Sequence, residues 1–88
     1  MSWTFLSNHG HVMVQLAQNP DSRVADLAEA VGITERRVAA ILADLQDAGY
    51  ISVAKKGRQN VYSVKRSKKL RHAAESSKSV GDLLGIFE

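Results

Sequence analysis

The stretch VADLAEAVGITERRVAAILADLQDAG, residues 24–49, decides the fold that this sequence predicts. Apolar residues recur in it at the i, i+3, i+4 and i+7 positions that line one face of an α-helix, in two separate runs. The runs are Val24, Leu27, Ala28 and Val31, then Val38, Ile41, Leu42 and Leu45. Only Gly32-Ile33-Thr34 separates them, which predicts two short helices packed together through a tight turn, a helix-turn-helix.

The residues before this stretch predict another helix. Ser7 is a suitable N-cap for it, and Asn19-Pro20 is a suitable stop. Its apolar side is formed by Val12, Met13, Leu16 and Ala17. Three helices can therefore share one core.

After Gly49 the apolar period changes from 3.6 to 2. Tyr50–Val53 and Val61–Val64 are short runs rich in β-branched and aromatic residues, which favour strands. The polar loop 54–60 between them contains Gly57, so the pattern predicts a β-hairpin with a basic tip, the wing of a winged helix.

The last residues predict a short fourth helix. Ser79 and Asp82 have the spacing of a capping box. Apolar residues follow at helical spacing: Val80, Leu83, Leu84 and Phe87. The predicted class is mostly α with a small β-hairpin (α+β): a winged helix-turn-helix domain over 5–64 with a three-helix core, a basic linker over 65–78, and a short apolar C-terminal helix over 79–88.

Charge is distributed unevenly along the 88 residues. Residues 1–47 carry a net charge of −3, residues 48–72 carry +8 without a single acid, and residues 73–88 carry −2. A solvated surface usually mixes its signs, so an acid-free basic stretch points to a polyanionic partner. We expect that partner to be double-stranded DNA.

Several other classes of protein are not expected. The absence of cysteine removes disulfides and thiolate metal sites, and no apolar run approaches the roughly 18 residues that cross a bilayer. His9, His11 and His72 form no zinc pattern, and His9 is expected to be a partly buried structural residue. Without a nucleophile–base pair or a phosphate-cradling loop, we expect a cytoplasmic protein that is not an enzyme and needs neither metal nor cofactor.

The third helix is predicted over residues 35–48, and its N-terminal half is the part that we expect to contact DNA bases. Backbone N–H groups and the helix dipole favour phosphate at that end, whereas Asp44 and Asp47 repel phosphate from the other end. Its candidate DNA-binding residues are Thr34, Glu35, Arg36, Arg37 and Ala40. Arg36 suits guanine, Glu35 suits cytosine, and Ala40 suits a thymine methyl group. Alternatively, Arg36 and Arg37 are ordinary solvated charges.

The wing supplies the remaining candidates for DNA contact. They are Lys55, Lys56, Arg58, Gln59 and Asn60. The three cations suit a phosphate backbone or a minor groove, with Arg58 the best minor-groove candidate, and Gln59 and Asn60 can form hydrogen bonds there. The alternative is that these charges protect an exposed strand edge from pairing. The basic residues of 65–71 either continue the phosphate contacts or belong to a solubilising linker.

Residues 5–64 resemble the bacterial and archaeal MarR-like winged helix-turn-helix regulators. The resemblance lies in Asp26–Arg36, Leu45–Ile51 and the closing Ser79–Leu84. It implies transcriptional regulation by a homodimer at a palindromic site. The long flanking helices that build the family's dimer interface and ligand pocket are missing from this sequence, so a small-molecule effector is doubtful.

Apolar residues near both ends of the chain remain to be placed. A dimer interface would draw on Trp3, Phe5, Val80, Leu83, Leu84 and Phe87. The alternative is that the tail folds back to complete its own core. A winged helix that binds another protein through this tail is the second functional hypothesis, and RNA or single-strand binding is the third.

Overall fold

The structure is a computed structural model that describes residues 3–88. Its elements are α1 (Asn8–Gln18), α2 (Val24–Val31), α3 (Glu35–Asp47), β1 (Ile51–Lys56), β2 (Gln59–Val64) and α4 (Val80–Gly85). Three helices, a two-stranded antiparallel hairpin and a short final helix confirm the predicted α+β winged helix-turn-helix fold.

The predicted helix starts are confirmed by their hydrogen bonds. The Ser7 hydroxyl accepts a bond from the Gly10 N–H at 3.3 Å, and the Thr34 hydroxyl accepts one from the Arg37 N–H at 3.0 Å. At α4, the Ser79 N–H donates to the Asp82 carboxylate at 2.9 Å. The backbone N–H and the side chain of Ser79 both form hydrogen bonds with Asp82. These two hydrogen bonds lower the pKa of Asp82 below its ordinary value, because they favour the charged carboxylate.

The turn between α2 and α3 depends on Gly32. This residue has a φ of +83°, in the left-handed region that side chains other than glycine rarely adopt. Its N–H and that of Ile33 both donate to the Ala28 carbonyl, at 2.8 and 3.1 Å. These bonds close α2 and allow Thr34 to begin α3 two residues later.

One hydrophobic core collects side chains from every element. Val12 and Leu16 of α1 meet Leu27 of α2 and the buried side of α3. The buried residues are Val12, Met13, Leu16, Leu27, Ala28, Val38, Ile41, Leu42, Leu45, Tyr50, Ile51, Tyr62, Val80 and Leu84. The apolar face of each helix therefore lies where the sequence pattern predicts it.

The hairpin is longer than the sequence predicts. Pairing runs from Ile51↔Val64 to Lys56↔Gln59, so only Gly57 and Arg58 form the turn, whereas a loop over 54–60 was expected. The φ of +66° at Gly57 permits a two-residue connection of the kind that matches strand twist. Cross-strand hydrogen bonds then continue through polar residues of low strand preference.

The segment 65–78, predicted as a basic linker, is an exposed loop that hydrogen bonds hold to the rest of the domain. The Lys65 N–H donates to the Tyr50 carbonyl at 2.8 Å, and the Tyr50 hydroxyl donates to the Lys69 carbonyl at 2.6 Å. Farther along, the Leu70 N–H donates to the Lys78 carbonyl at 3.0 Å. Each of these bonds involves a backbone group, and two of them are entirely between backbone groups, which the residue pattern does not report.

The C-terminal helix is also shorter than 79–88, and it completes the core of its own chain. Val80 is 2% exposed and Leu84 is 1% exposed, so these two residues are not available as the surface contacts predicted for a dimer. Gly81 and Gly85 lower the helix propensity of this segment, which agrees with its end at Gly85.

We predict that Leu84→Ala lowers the free energy of unfolding by about 2–5 kcal/mol, because it opens a cavity beneath α4. Urea denaturation followed by circular dichroism measures this change. The matched control is Ile86→Ala, since Ile86 is 74% exposed and its truncation is expected to stay within about 0.5 kcal/mol of the parent. Equal effects of the two variants would show that α4 does not seal the core.

Candidate nucleic-acid interface

The N-terminal half of α3 presents its polar side to solvent. Val38 and Ile41 are fully buried, while Glu35, Arg36 and Arg37 are exposed. Residues two positions apart are rotated by about 200° around a helix, so burial of Val38 turns both Arg36 and Ala40 outward. The predicted reading residues of α3 therefore lie on one accessible surface.

The charges on this surface are free to bind an anion. Within residues 3–88, neither Arg36 nor Arg37 has a carboxylate within 4.0 Å. The first turn of α3 adds unpaired backbone N–H groups and the positive end of the helix dipole. Asp44 and Asp47 are exposed on the C-terminal half, so the positive potential is concentrated at the start of the helix.

The wing tip carries its cations on both faces of the hairpin. Lys55 points to the same face as Val53 and Tyr62, and Lys56 points to the opposite face, because successive strand residues alternate. Arg58 occupies the turn between the strands. All three cations are exposed, which suits them to contact with phosphates on either side of the hairpin.

Gln59 is placed differently from the other wing candidates. Its side-chain amide donates a hydrogen bond to the Asp21 carbonyl in the connection between α1 and α2. Close by, the Tyr62 N–H donates to the Pro20 carbonyl at 3.0 Å. Gln59 therefore ties the wing to the helical body, a role that the sequence reading did not assign to it. Asn60 is half-buried and pairs with Lys55 across the hairpin.

Arg23 is a cation beside the wing that sequence reasoning did not single out. It lies directly before α2, on one side of a cleft of about 540 Å³, and Arg58 of the wing lies on the other. The cleft is lined by Ser22, Arg23, Val24, Arg58, Gln59, Asn60 and Tyr62. The sequence feature that could have drawn attention to Arg23 is its position, because it is the first Lys or Arg of the chain and directly precedes a predicted helix.

The remaining predicted interface residues lie towards opposite ends of α1. Trp3 and Phe5, just before α1, are 74% and 93% exposed, with their rings edge to face at 5.0 Å between centroids. Phe87 is 45% exposed, and its carbonyl accepts a bond from Gln18, the last residue of α1. Since α1 is about 16 Å long, these aromatic residues do not form one continuous patch.

The histidines within residues 3–88 belong to no metal-binding cluster. His9 is half-buried, and its Nε2 lies 2.8 Å from an Asp44 carboxylate oxygen, so it joins the start of α1 to α3. Residues 3–88 contain no cluster of His, Asp and Glu that could hold a metal ion. In the same range, no helix is both long enough and apolar enough to cross a membrane.

Comparison with known proteins agrees with this geometry. A family profile described as winged helix-turn-helix DNA-binding matches residues 8–52, which span α1 to the start of β1. The match covers the reading helix and just over half of the chain. The chain therefore belongs to the winged helix-turn-helix DNA-binding family.

A solved structure shows the same fold. The chain is similar to MepR, a transcription regulator of the Staphylococcus aureus multidrug efflux pump MepA, with a TM-score of 0.62 and 19% identity. The alignment covers 92% of this chain but only 56% of MepR. This likeness concerns the fold and agrees with the resemblance to MarR-like regulators. No curated protein matches the chain.

We predict that Gln59→Ala loosens the wing without unfolding the domain. Losing one hydrogen bond costs about 0.5–1.5 kcal/mol, so the Tyr62 amide should exchange its hydrogen about two- to thirteenfold faster. Hydrogen exchange followed by NMR measures this rate. Lys56→Ala is the control, because Lys56 is the cross-strand neighbour of Gln59 and makes no bond to Asp21. An unchanged rate in Gln59→Ala would contradict the proposed tie.

Proposed function

We propose that this chain is a sequence-specific, double-stranded DNA-binding transcriptional regulator. The observation that carries the proposal is the exposed start of α3, where Arg36 and Arg37 have no carboxylate partner within residues 3–88 while the opposite face is fixed in the core. A major groove about 12 Å wide admits such a helix. The family match supports this function.

Roles within α3 follow from the donor and acceptor pattern of the bases. Arg36 can donate two hydrogen bonds to O6 and N7 of guanine, and Glu35 can accept from N4 of cytosine. Ala40 allows close approach and can contact a thymine methyl group. The Thr34 hydroxyl oxygen accepts the capping bond of α3. Thr34 would contact DNA through its backbone or through the same hydroxyl group.

The wing and the start of α2 would hold the DNA backbone. Lys55 and Lys56 project from opposite faces of the hairpin and can contact phosphates on either side of it. Arg58 at the turn is placed to enter a minor groove. Arg23, across the cleft from Arg58, is a further candidate for phosphate contact.

We propose that the regulator acts as a homodimer at a palindromic site. The surface near the start of α1 is the best supported interface, because Trp3 and Phe5 are exposed beside a groove of about 500 Å³. Met13, Leu45 and Leu83 contribute to the lining of that groove. In a two-fold dimer, the aromatic residues of each copy can enter the groove of the other.

The other functional hypotheses have less support. A protein-binding module would use the apolar tail, yet Val80 and Leu84 are buried within their own chain. Binding of RNA or single strands would need several aromatic residues for base stacking, and the exposed aromatic pair within residues 3–88 consists of Trp3 and Phe5 alone. We therefore place the protein with the chromosome, in the cytoplasm or nucleoid, and propose no cofactor or small-molecule effector.

Selection from a random duplex pool tests the proposal. We expect a palindromic site with half-sites about 10 base pairs apart. At that site, Arg36→Ala should cost about 1–3 kcal/mol of binding free energy and abolish the preference at one base pair of each half-site. Fluorescence anisotropy with matched and mismatched duplexes measures both effects.

Lys55→Ala serves as the control for a contact that is independent of base sequence. It should weaken binding to all duplexes alike and reduce the slope of log K against log salt by about 0.9. Reading of bases by α3 would be refuted if Arg36→Ala behaved in the same way as Lys55→Ala, with base preference intact.

The dimer is tested separately by sedimentation equilibrium. We expect the parent chain to be dimeric at tens of micromolar, and the double variant Trp3→Ala, Phe5→Ala to shift towards monomer because it removes the exposed aromatic surface. Phe87→Ala reports whether the other end of α1 also takes part. A parent chain that is monomeric at these concentrations would overturn this interface.

A further inference from the structure

The basic stretch of residues 48–72 is divided into two separate surfaces by the hairpin. Lys55, Lys56 and Arg58 lie at the tip of the wing. The other cations, here called the basal cluster, are Lys65, Arg66, Lys68, Lys69 and Arg71. Lys65 lies six residue steps from the tip pair Lys56↔Gln59, so the basal cluster starts about 20 Å from the tip.

The length of α3 separates the basal cluster from the start of that helix as well. The chain after β2 turns around Tyr50, which follows the C-terminal end of α3: Lys65 and Lys69 both bond to Tyr50, and the Lys68 ammonium lies 5.6 Å from the centre of its ring. The 13 residues of α3 span about 20 Å. The basal cluster is therefore at the opposite end of α3 from Arg36.

Acidic residues lie between the start of α3 and the basal cluster. Asp44 and Asp47 are both exposed on the C-terminal half of α3, and Asp44 is paired with His9. Phosphates held by the start of α3 would be repelled by these carboxylates before they reached the basal cluster. The basal cluster is thus not a continuation of the surface that reads DNA.

The basal cluster is exposed, fixed in place and largely unpaired. All five of its side chains are exposed, and within residues 3–88 only Arg66 has a carboxylate within 4.0 Å, from Glu88 at 2.6 Å. The Val80 N–H donates to the Lys68 carbonyl and the Gly81 N–H to the Arg66 carbonyl, both at 2.8 Å. Residues 65–88 contain six cations and three acids, so this end of the molecule keeps a positive charge.

We propose that the basal cluster binds a second segment of double-stranded DNA, so that one copy of the chain joins two duplexes. The inference rests on the proposed function, since the first duplex occupies α3 and the wing. The cluster places five cations and no acid within residues 65–71, and the apolar residue among them, Leu70, is half-buried against the core. That composition suits a phosphate backbone better than a protein partner, whose binding usually depends on apolar or aromatic anchors.

A capture experiment tests the proposal with the full chain. A duplex of about 15 base pairs containing the selected site is fixed to beads, the protein is added, and capture of a second labelled duplex is measured. The basal variant Lys65→Ala, Lys69→Ala removes two of the four cations that have no carboxylate partner within residues 3–88. It spares Arg66 and Lys68, and it also spares Arg71, which lines the groove of the proposed dimer interface. Circular dichroism verifies that it is folded.

We expect the basal variant to bind the fixed duplex as the parent does but to lose capture of the second one. The slope of log capture against log salt should fall by about 0.9 for each lost contact. The tip variant Lys55→Ala, Lys56→Ala, Arg58→Ala should instead lose affinity for the fixed duplex. If neither this variant nor Arg36→Ala loses that affinity, the proposed function fails.

Two results would overturn the proposal while leaving that function intact. Capture at the parental level by the basal variant would mean that bridging, if any, comes from the two α3 helices of a dimer. A loss of affinity for the fixed duplex as large as that of the tip variant would mean that both groups of cations contact the same DNA.

Discussion

Burial of one face of α3 is the constraint on which the rest of the structure depends. Val38 and Ile41 have no exposed surface, and fully burying an aliphatic side chain of this kind contributes about 1.5–3 kcal/mol. Rotation of α3 about its axis would expose both residues. The orientation of Arg36 is therefore fixed before any partner arrives, and binding need not supply the free energy to order this helix.

The wing is held against the same core. Ile51 and Tyr62 are buried in the core at the base of the wing. The hydrogen bonds from Gln59 and Tyr62 to the connection between α1 and α2 hold β2 in place. The tip and the start of α3 are thus two projections from one packed body. Beneath them, α4 closes the core with Val80 and Leu84, so the segment that could have remained an apolar tail serves stability instead.

Local patterns predicted the helices, because apolar spacing and caps such as Ser7 and Thr34 act within a few residues of each other. They could not predict the hairpin register, since Lys56 and Gln59 have little strand preference and pair only because Gly57 permits a tight turn. The bond from Gln59 to Asp21 joins residues 38 positions apart, and no local pattern reports it. For Val80 and Leu84, spacing indicated burial but not whether their own chain or a second copy would cover them.

The same packing decides what kind of surface the protein offers to partners. Within residues 3–88, the large apolar residues left exposed are Trp3, Phe5, Ile86 and Phe87, which lie near the two ends of α1. The cations, in contrast, are exposed at the start of α3, at the wing tip and at the wing base. Because unpaired charges act over about 10 Å at 0.1 M salt, they can guide a polyanion before contact, whereas the small apolar surfaces act only on contact. Separating the charge into distant groups on one packed body would let an 88-residue chain hold phosphates in more than one direction at once, as the proposed bridging requires.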